Sequence, residues 1–324
     1  MNQKTMSVLL ERAVSGEGIS WEEATELLRL NPESEEVVPV LEAARESARK
    51  FSNNQGKIWA AVGVDYQPCP WNCRFCSHGE KWGIMKSSGE WSEERVVQAA
   101  VEFNRQGAYW ITLRTTQDYG IDRLCDLGKV VLKNLGKPSY LVANTGDFNR
   151  EEAEKLLEAG FTYVYHPYRL REGIDSGIDP EVRLKTVKAI AESNLKLVYL
   201  AEPIGPEHLP EEIAGEIFRA LSFGAVTIGG MARVPVNGTP LGDQGNISEN
   251  FLALVTAVCR LAGGSRITDV CSHPPSSKIL QAGANALVVE TGAVPRDVEE
   301  SICEWQLFTI DSAHLLFQEA GYKY

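Results

Sequence analysis

Three cysteines stand close together in the stretch YQPCPWNCRFCSHGEKW, where Cys69, Cys73 and Cys76 have the spacing C-x3-C-x2-C. Thiolates at this spacing can surround one metal centre, whereas a disulfide would leave the third cysteine unpaired. One interpretation is a structural zinc site with His78 as fourth ligand, but such sites usually have two separated ligand pairs. The other is a [4Fe–4S] cluster in which one iron lacks a protein ligand and stays open to a small molecule.

Apolar runs that predict strands alternate with helical patterns from residue 57 onward. The predicted strands are 58–64, 109–115, 139–145, 162–167, 195–201, 225–230, 266–271 and 285–290. Eight strands, each followed by a helix, predict an α/β fold, a parallel (β/α)8 TIM-type barrel. The cysteine stretch directly follows the first strand, and the loops after the strands are where such a barrel carries its active site.

The residues before the first strand have the apolar spacing of helices. We therefore predict an N-terminal helical extension over 1–56 and a barrel over 57–324. Helix starts are indicated by Ser20 and by the capping pair of Asn149 and Glu152. By its length the chain could form one large domain or two small ones, and no repeat or long linker divides it.

Composition narrows the class of protein. The 324 residues carry a formal net charge of −12, which argues against a general nucleic-acid or anionic-membrane surface. No apolar run approaches the roughly 20 residues needed to cross a bilayer. The N-terminus lacks the features of a secretory signal, so we expect a cytoplasmic protein whose seven cysteines do not form disulfides.

The cysteine motif, with Phe75 before its last cysteine and its place after the first barrel strand, resembles that of the radical S-adenosylmethionine (SAM) superfamily. The resemblance implies that Cys69, Cys73 and Cys76 hold a [4Fe–4S] cluster whose open iron binds SAM. A 5′-deoxyadenosyl radical then removes a hydrogen atom from substrate, while the protein orients the reactants and excludes water. It also implies an external one-electron reductant of the flavodoxin or ferredoxin type.

Other stretches resemble the biotin synthase-like group, which includes biotin synthase, the [FeFe]-hydrogenase maturase and methylornithine synthase. They are WSEERVVQAAVEFNRQGA, FNREEAEKLLEAGFTYVYH, VRLKTVKAIAESNLKLVY, VPVNGTPL and ILQAGANALVV. The resemblance covers about residues 20–320 and implies a full eight-stranded barrel.

Departures from biotin synthase bear on function. The positions that hold its second, [2Fe–2S] cluster fall near Thr112, Val142 and Tyr199, and Arg266 is the candidate for its arginine ligand. One ligand of four cannot hold that cluster, so an auxiliary cluster is possible but not expected. Pro167 and Arg169 replace the Asn and Asp that follow strand 4 in biotin synthase, so dethiobiotin is not the expected substrate.

The other four cysteines have different settings. Cys125, Cys259 and Cys303 stand in helical patterns, where a free cysteine is most often a small buried hydrophobic residue. Cys271 ends strand 7, beside Asp269. We expect it to be a ligand of an auxiliary cluster, a thiyl or thiolate participant in catalysis, or a packed core residue.

Further residues are candidates for the site, some from the resemblance and others from their place at the ends of the predicted strands. Candidates for cofactor binding are Phe75, Thr112, Arg114, Arg183, Glu202, Gly205, Glu207 and Asn237. Candidates for catalysis are Cys271, Arg169 and His166. Arginines at the barrel mouth can bind a carboxylate or phosphate, so we expect a small anionic substrate or a protein-bound acyl group. The alternatives are that these arginines pair with acids at the rim, and that His166 is a hydrogen-bonded core residue.

Two chemical outcomes stay open after hydrogen abstraction. The substrate radical rearranges or fragments, in cofactor or amino-acid biosynthesis, or sulfur is inserted with the help of an auxiliary cluster. The missing barrel cysteines favour rearrangement or fragmentation. A non-catalytic iron–sulfur or zinc protein on a barrel scaffold is the alternative from another class.

Overall fold

Eight parallel strands form a nearly closed barrel in the computed structural model, which describes residues 3–293 and 308–324. The strands are β1 (Lys57–Gly63), β2 (Trp110–Arg114), β3 (Tyr140–Asn144), β4 (Phe161–Tyr165), β5 (Lys196–Ile204), β6 (Thr227–Ala232), β7 (Asp269–Val270) and β8 (Ala286–Gly292). They neighbour one another in the order β8-β1-β2-β3-β4-β5-β6-β7. The predicted fold class is therefore confirmed. A two-stranded hairpin that was not predicted, Asp65–Tyr66 with Gly89–Glu90, flanks the cysteine loop.

Helices cover the outside of the barrel. They are α1 (Gln3–Ser15), α2 (Trp21–Leu28), α3 (Val38–Phe51), α4 (Glu93–Arg105), α5 (Ile121–Asn134), α6 (Arg150–Glu158), α7 (Pro180–Ala191), α8 (Pro210–Ser222), α9 (Glu249–Gly263), α10 (Ser277–Gln281) and α11 (Ile310–Ala320). Ser20 caps α2 as predicted, in a capping box with Glu23 that was not predicted, and the predicted capping box of Asn149 with Glu152 is present. Within the described ranges, no helix has the length and apolar character needed to span a membrane.

The three N-terminal helices pack on one side of the helical layer. Helix α3 packs against α9, and α2 packs against both α8 and α9. Helix α9 is consequently covered on the barrel side and on the outer side, and every residue from Leu252 to Gly263 is buried. This explains its nearly uninterrupted apolar sequence, since a helix that is apolar all round must be buried. The predicted boundary at residues 56 and 57 falls between α3 and β1.

The barrel closes between β7 and β8 through one bridge and one side chain. A parallel bridge joins Cys271 to Ala286. The Asn285 amide accepts from the Val270 N–H and donates to Asp269 Oδ1, both at 2.9 Å. Strand β7 is shorter than predicted because the carbonyls of residues 267 and 268 accept hydrogen bonds from the buried Arg260 guanidinium, at 2.9 and 3.2 Å, instead of from a neighbouring strand.

Side chains fill the lower half of the barrel and leave the upper half open. Near the N-terminal ends of the strands, the interior is packed with Trp59, Trp110, Tyr163 and smaller apolar residues. Above them, at the C-terminal ends of the strands, lies a cavity of about 240 Å³. The aromatic layer thus forms the floor of the cavity.

We predict that Arg260→Met weakens barrel closure. The change leaves Asn285 Oδ1 and three carbonyls without the guanidinium that now binds them at 2.8 to 3.2 Å. The expected loss is about 3 kcal/mol of the free energy of unfolding, typical of removing buried hydrogen bonds to a charged group. Urea denaturation of the cofactor-free protein measures it. The exposed Arg105→Met serves as control, and equal stability of the two variants would contradict the prediction.

Candidate active site

The cysteine loop folds back on itself so that all three thiols line the cavity. The Cys69 N–H donates to the His78 carbonyl at 2.6 Å, and the Glu80 N–H donates to the Cys69 carbonyl at 3.1 Å. Cys69, Cys73 and Cys76 are half-buried and face the same cavity. Burial raises the pKa of Cys69 to about 11 and that of Cys76 to about 12. Both are therefore thiols at neutral pH until a metal displaces their protons.

Two neighbouring loops fix the outer side of the cysteine loop. A Cβ placed on Gly177 would lie 1.5 Å from the Trp71 carbonyl oxygen, so the backbones of the two loops are in direct contact. The Arg74 N–H donates to the Asp175 carbonyl at 2.8 Å, and the Leu241 N–H donates to the Arg74 carbonyl at 3.0 Å. The loops after β4 and β6 consequently position the cysteines.

The described residues form no compact single-zinc site at the cysteines. Tetrahedral zinc with Zn–S bonds of about 2.3 Å holds its sulfurs within about 4 Å of one another. Among the described residues, one group of three histidine, cysteine or acidic side chains has its ligand atoms within 4.8 Å of one another. It consists of Asp175, Glu207 and His208. Arg74 and Arg233 already pair with the two carboxylates of that group. Neither the cysteine trio nor a combination with His78 forms a compact one-ion site, whereas a four-iron cluster separates its ligands further.

A basic corner, made of His166, Arg169, Arg183 and Glu202, lies next to the cysteines. Arg169 Nε is 3.5 Å from Glu202 Oε1. The positive charge of Arg169 lowers the pKa of the nearby Cys76 thiol, against the larger opposing effect of burial. All four side chains line the cavity. The corner thus offers cations and a carboxylate beside the thiols.

His166 is held as a neutral ring in this corner. Its Nε2 lies 3.1 Å from Asp147 Oδ1 and 2.7 Å from Arg183 Nη1. Burial, followed by the positive charge of Arg183, lowers the pKa of His166 to about 4. Asp147 also accepts from the Gln117 amide at 2.6 Å and the Thr186 hydroxyl at 3.0 Å. This network fixes the position of Arg183.

The opposite side of the cavity, called here the far wall, consists of Arg114, His273 and Glu290. Arg114 Nη1 pairs with Glu290 Oε1 at 2.5 Å, and its Nη2 donates to the Ala293 carbonyl at 2.8 Å. His273 Nε2 is 3.7 Å from Glu290 Oε2. The far wall therefore presents another set of paired charges.

Comparison with known proteins shows similarity to biotin synthases. No protein-family model matches the chain. It is 26% identical to the biotin synthase of Cutibacterium acnes over 317 residues. The matched region covers 94% of this chain and 84% of that protein. It is 24% identical to the biotin synthase of Sulfurihydrogenibium sp. over 265 residues. That match covers 78% of this chain and 77% of the relative. These relatives support a radical SAM protein of the biotin synthase-like group.

Solved structures agree with the fold. Methylornithine synthase (PylB) superposes with a TM-score of 0.80 at 16% identity over 97% of this chain and 96% of that chain. HydG, a maturase of the [FeFe]-hydrogenase, superposes with a TM-score of 0.77 at 16% identity. The superposition covers 99% of this chain and 82% of that chain. The radical SAM family implies an enzyme with a [4Fe–4S] cluster and SAM.

Several predicted site residues of this radical SAM protein line the cavity, and others do not. Those that line it are Cys69, Cys73, Phe75, Cys76, Thr112, Arg114, His166, Arg169, Arg183 and Glu202. Gly205 and Glu207 lie beyond the cavity wall. A Cβ on Gly205 would stand 2.2 Å from Arg233 Nη1, and Glu207 is occupied by an ion pair with Arg233. Asn237 is exposed on the loop after β6.

Cys271 is buried in the cavity floor and does not line the cavity. It packs among Trp59, Val142 and other apolar residues, and burial raises its pKa well above the usual range. Its side chain is therefore a neutral thiol in an apolar setting. Cys125 and Cys259 are buried in α5 and α9, and Cys303 falls outside the described residues.

Two positions assigned by alignment to a second cluster need correction. Tyr199 does not face the barrel interior, because its hydroxyl bonds to Glu216 of α8 at 2.5 Å. The inward side chains of β5 are those of Val198 and Leu200. Arg266 is exposed in a short turn before β7 and cannot reach the interior.

Sequence reasoning missed three acidic residues. Asp65 lines the cavity and accepts hydrogen bonds from the N–H and hydroxyl of Thr116, which ties the start of the cysteine loop to the end of β2. Glu290 lies on the far wall, and Asp147 stands behind His166. Each of the three ends a strand or follows one. Their position at the C-terminal end of a barrel strand could therefore have marked them as site residues from the sequence.

We predict that Gly177→Ala displaces the cysteine loop. Its new methyl group would overlap the Trp71 carbonyl, at an expected cost of about 1–3 kcal/mol of unfolding free energy for overpacking. After anaerobic reconstitution, the variant should also bind less iron per chain than the wild type. Gly215→Ala is the matched control, because a Cβ there meets nothing within 4 Å. Wild-type iron content and stability in Gly177→Ala would refute this.

We predict that His166 makes the cofactor-free protein less stable in acid. A lowered histidine pKa means that the unfolded chain binds the extra proton first, so stability falls as the pH drops from about 6.5 to about 4. The contribution is about 3 kcal/mol. Urea denaturation across this pH range measures the free energy of unfolding of the wild type and of His166→Gln. The wild-type value minus the variant value should fall toward low pH. A difference independent of pH would show that His166 does not titrate in this way.

Proposed function

We propose that this protein is a radical SAM enzyme that abstracts hydrogen from a small anionic substrate inside the barrel and needs no auxiliary cluster. Cys69, Cys73 and Cys76 would hold the [4Fe–4S] cluster. When bound, the cluster and SAM supply one electron and a carbon radical able to remove hydrogen from a C–H bond. The observation that carries the proposal is that the three thiols and the basic corner face one cavity.

The basic corner supports SAM binding next to the cysteines. Arg169 and Arg183 can donate charge-assisted hydrogen bonds to a carboxylate, and Glu202 can accept from an ammonium group. Arg183 is held in place by Asp147 and Glu172, at 3.3 and 3.6 Å. The corner therefore matches both charges of an aminocarboxylate, in a position set before the ligand arrives.

The cavity floor supports chemistry on a substrate shielded from water. Trp59, Leu200, Met231 and Val288 give it an apolar surface. Such a surface excludes water from the reacting centre and limits side reactions of a radical. The substrate, a small anion or a protein-bound acyl group, would bind between this floor and the cysteine loop, with its anionic group toward the Arg114–Glu290 pair of the far wall.

The filled floor favours rearrangement or fragmentation over sulfur insertion. Apart from the three loop cysteines, Cys271 is the one cysteine in the described part of the chain that lies in the barrel interior, where it belongs to the apolar cluster of Trp59, Trp110 and Tyr163. A second cluster needs several ligands and room for its atoms. The similarity to biotin synthases favours sulfur insertion as the alternative function.

Iron counting tests the cluster assignment. We expect about four iron and four sulfide per chain after anaerobic reconstitution, and release of 5′-deoxyadenosine from SAM after reduction. Replacing Cys69, Cys73 or Cys76 by Ala should abolish both. Cys125→Ala and Cys259→Ala should preserve them, as should Cys271→Ala. Clearly more than four iron, reduced by Cys271→Ala, would favour the sulfur-insertion alternative. Zinc without iron or SAM cleavage would indicate a non-catalytic zinc protein.

Calorimetric titration tests the basic corner. Arg169→Gln in the reconstituted protein should weaken SAM binding by about 10- to 100-fold, as expected for losing a hydrogen bond between charged groups. Arg171→Gln is the matched control, because Arg171 lies on the same loop but pairs with Glu212. Equal affinity in both variants would remove Arg169 from the SAM site.

A further inference from the structure

A row of tyrosine and tryptophan rings connects the cavity to the opposite end of the barrel. Tyr165 and Trp59 line the cavity. Neighbouring ring centroids are 5.5 Å apart between Tyr165 and Trp59 and 6.0 Å apart between Trp59 and Trp110. The next steps are 4.6 Å between Trp110 and Tyr109 and 5.2 Å between Tyr109 and Tyr140. Tyr140, at the start of β3, is 40% exposed. The row therefore runs from the radical chemistry to solvent at the N-terminal face.

The row also has a second branch. Tyr163 lies 5.9 Å from Trp110 and 5.5 Å from Tyr140 between ring centroids. Both branches leave Trp110 and end at Tyr140. Each consecutive pair of rings is in contact range, a spacing at which electrons pass readily between aromatic side chains.

Packing alone does not explain the choice of residue types. Phenylalanine would fill the floor without burying a polar atom, yet every ring in the row belongs to tyrosine or tryptophan, the aromatic side chains that lose an electron most readily. The Trp110 indole N–H is buried without a hydrogen-bond partner among the described residues. Burying an unpaired polar group costs free energy that phenylalanine would avoid. The residue types thus fit a redox role better than a packing role.

Tyr165 has the position of a hydrogen-atom donor at the cavity end. Its hydroxyl donates a hydrogen bond to the Glu202 carboxylate, which holds the O–H group in the floor. A phenol O–H bond is weaker than an alkyl C–H bond, so transfer of its hydrogen atom to a carbon radical is favourable. At the other end, Tyr140 is the exposed ring of the row and can meet a reductant.

We infer that Tyr165 quenches carbon radicals in the cavity and that the aromatic row re-reduces it. This inference rests on the proposed function. The Tyr165 O–H bond breaks homolytically as a C–H bond forms on the radical, which leaves a phenoxyl radical. One electron, from the external one-electron reductant at Tyr140, passes along the row, and one proton enters from water at the cavity mouth. The sum is one carbon radical, one electron and one proton giving one C–H bond.

Lysine charges favour localisation of the radical at the cavity end. Lys57 Nζ lies 4.3 Å from the ring centroid of Tyr109 and 5.1 Å from that of Trp110. Lys196 Nζ lies 5.1 Å from the ring centroid of Tyr163. A nearby cation disfavours the oxidised, positively charged form of a ring. Lys57 also pairs with Asp269 Oδ2 at 2.7 Å, so the preference for the cavity end depends mainly on Lys196 beside Tyr163.

Isotope exchange tests the donor. The reconstituted enzyme is incubated with SAM and dithionite in D2O without substrate, so that Tyr165 carries O–D. We expect deuterium in the released 5′-deoxyadenosine, detected by mass spectrometry, and loss of that deuterium in Tyr165→Phe. Tyr168→Phe is the matched control, since Tyr168 lies three residues on but outside the cavity lining. Cys271→Ala should retain the deuterium, which separates the phenol from the buried thiol.

Photo-oxidation tests the row without cofactors. A ruthenium photo-oxidant in solution oxidises the cofactor-free protein at its exposed end, and electron paramagnetic resonance of samples with ring-deuterated tyrosine detects the radical. We expect a tyrosyl signal that changes in Tyr165→Phe. In Trp59→Phe, which interrupts the row, the signal at Tyr165 should be lost.

The outcomes separate the two hypotheses. If the wild type releases no 5′-deoxyadenosine, the proposed function fails, while photo-oxidation still tests the row. If it releases 5′-deoxyadenosine without deuterium, or if Tyr165→Phe keeps the deuterium, the inference is overturned. Identical radical signals in the wild type, Tyr165→Phe and Trp59→Phe would also overturn it. Circular dichroism checks that each variant is folded.

Discussion

The site depends on backbone contact between the cysteine loop and the loop after β4. Trp71 and Gly177 approach so closely that no side chain fits between them. The cysteine loop has little regular structure. This contact, together with the hydrogen bond from the Arg74 N–H to the Asp175 carbonyl, holds its three thiols toward the same cavity. Three ligands can bind one cluster only if their separation is fixed, because the entropy of ordering a free loop opposes binding.

Paired charges are the second feature of the cavity. Arg114 pairs with Glu290, Arg169 with Glu202, Arg183 with Asp147, and Arg233 with Glu207. Buried cations without partners would be costly. Pairing keeps the arginines charged and oriented, yet also means that an anionic ligand must compete with a carboxylate already present. Groups that carry both charges, such as an aminocarboxylate, can satisfy both members of a pair.

Much of the fold was readable in the sequence because strands of a closed barrel are short apolar runs at regular intervals. The exceptions have local causes. The length of strand β7 was overestimated because Arg260, seven and eight residues earlier, takes the carbonyls of residues 267 and 268. In the site, the cysteine spacing was informative since it lies within one loop. Tyr199 was assigned to the wrong face of its strand because facing depends on register, and a slip of one residue reverses it.

The aromatic floor links fold stability to the proposed chemistry. A barrel needs its interior filled, and the rings of Trp59, Trp110 and Tyr163 fill the lower half of this one. The same rings occupy space that a second cluster would require, and they separate the cavity from the N-terminal face. A radical formed above them meets oxidisable side chains instead of an inert surface. Residue types chosen for volume alone would have stabilised the barrel without giving the cavity a source of electrons.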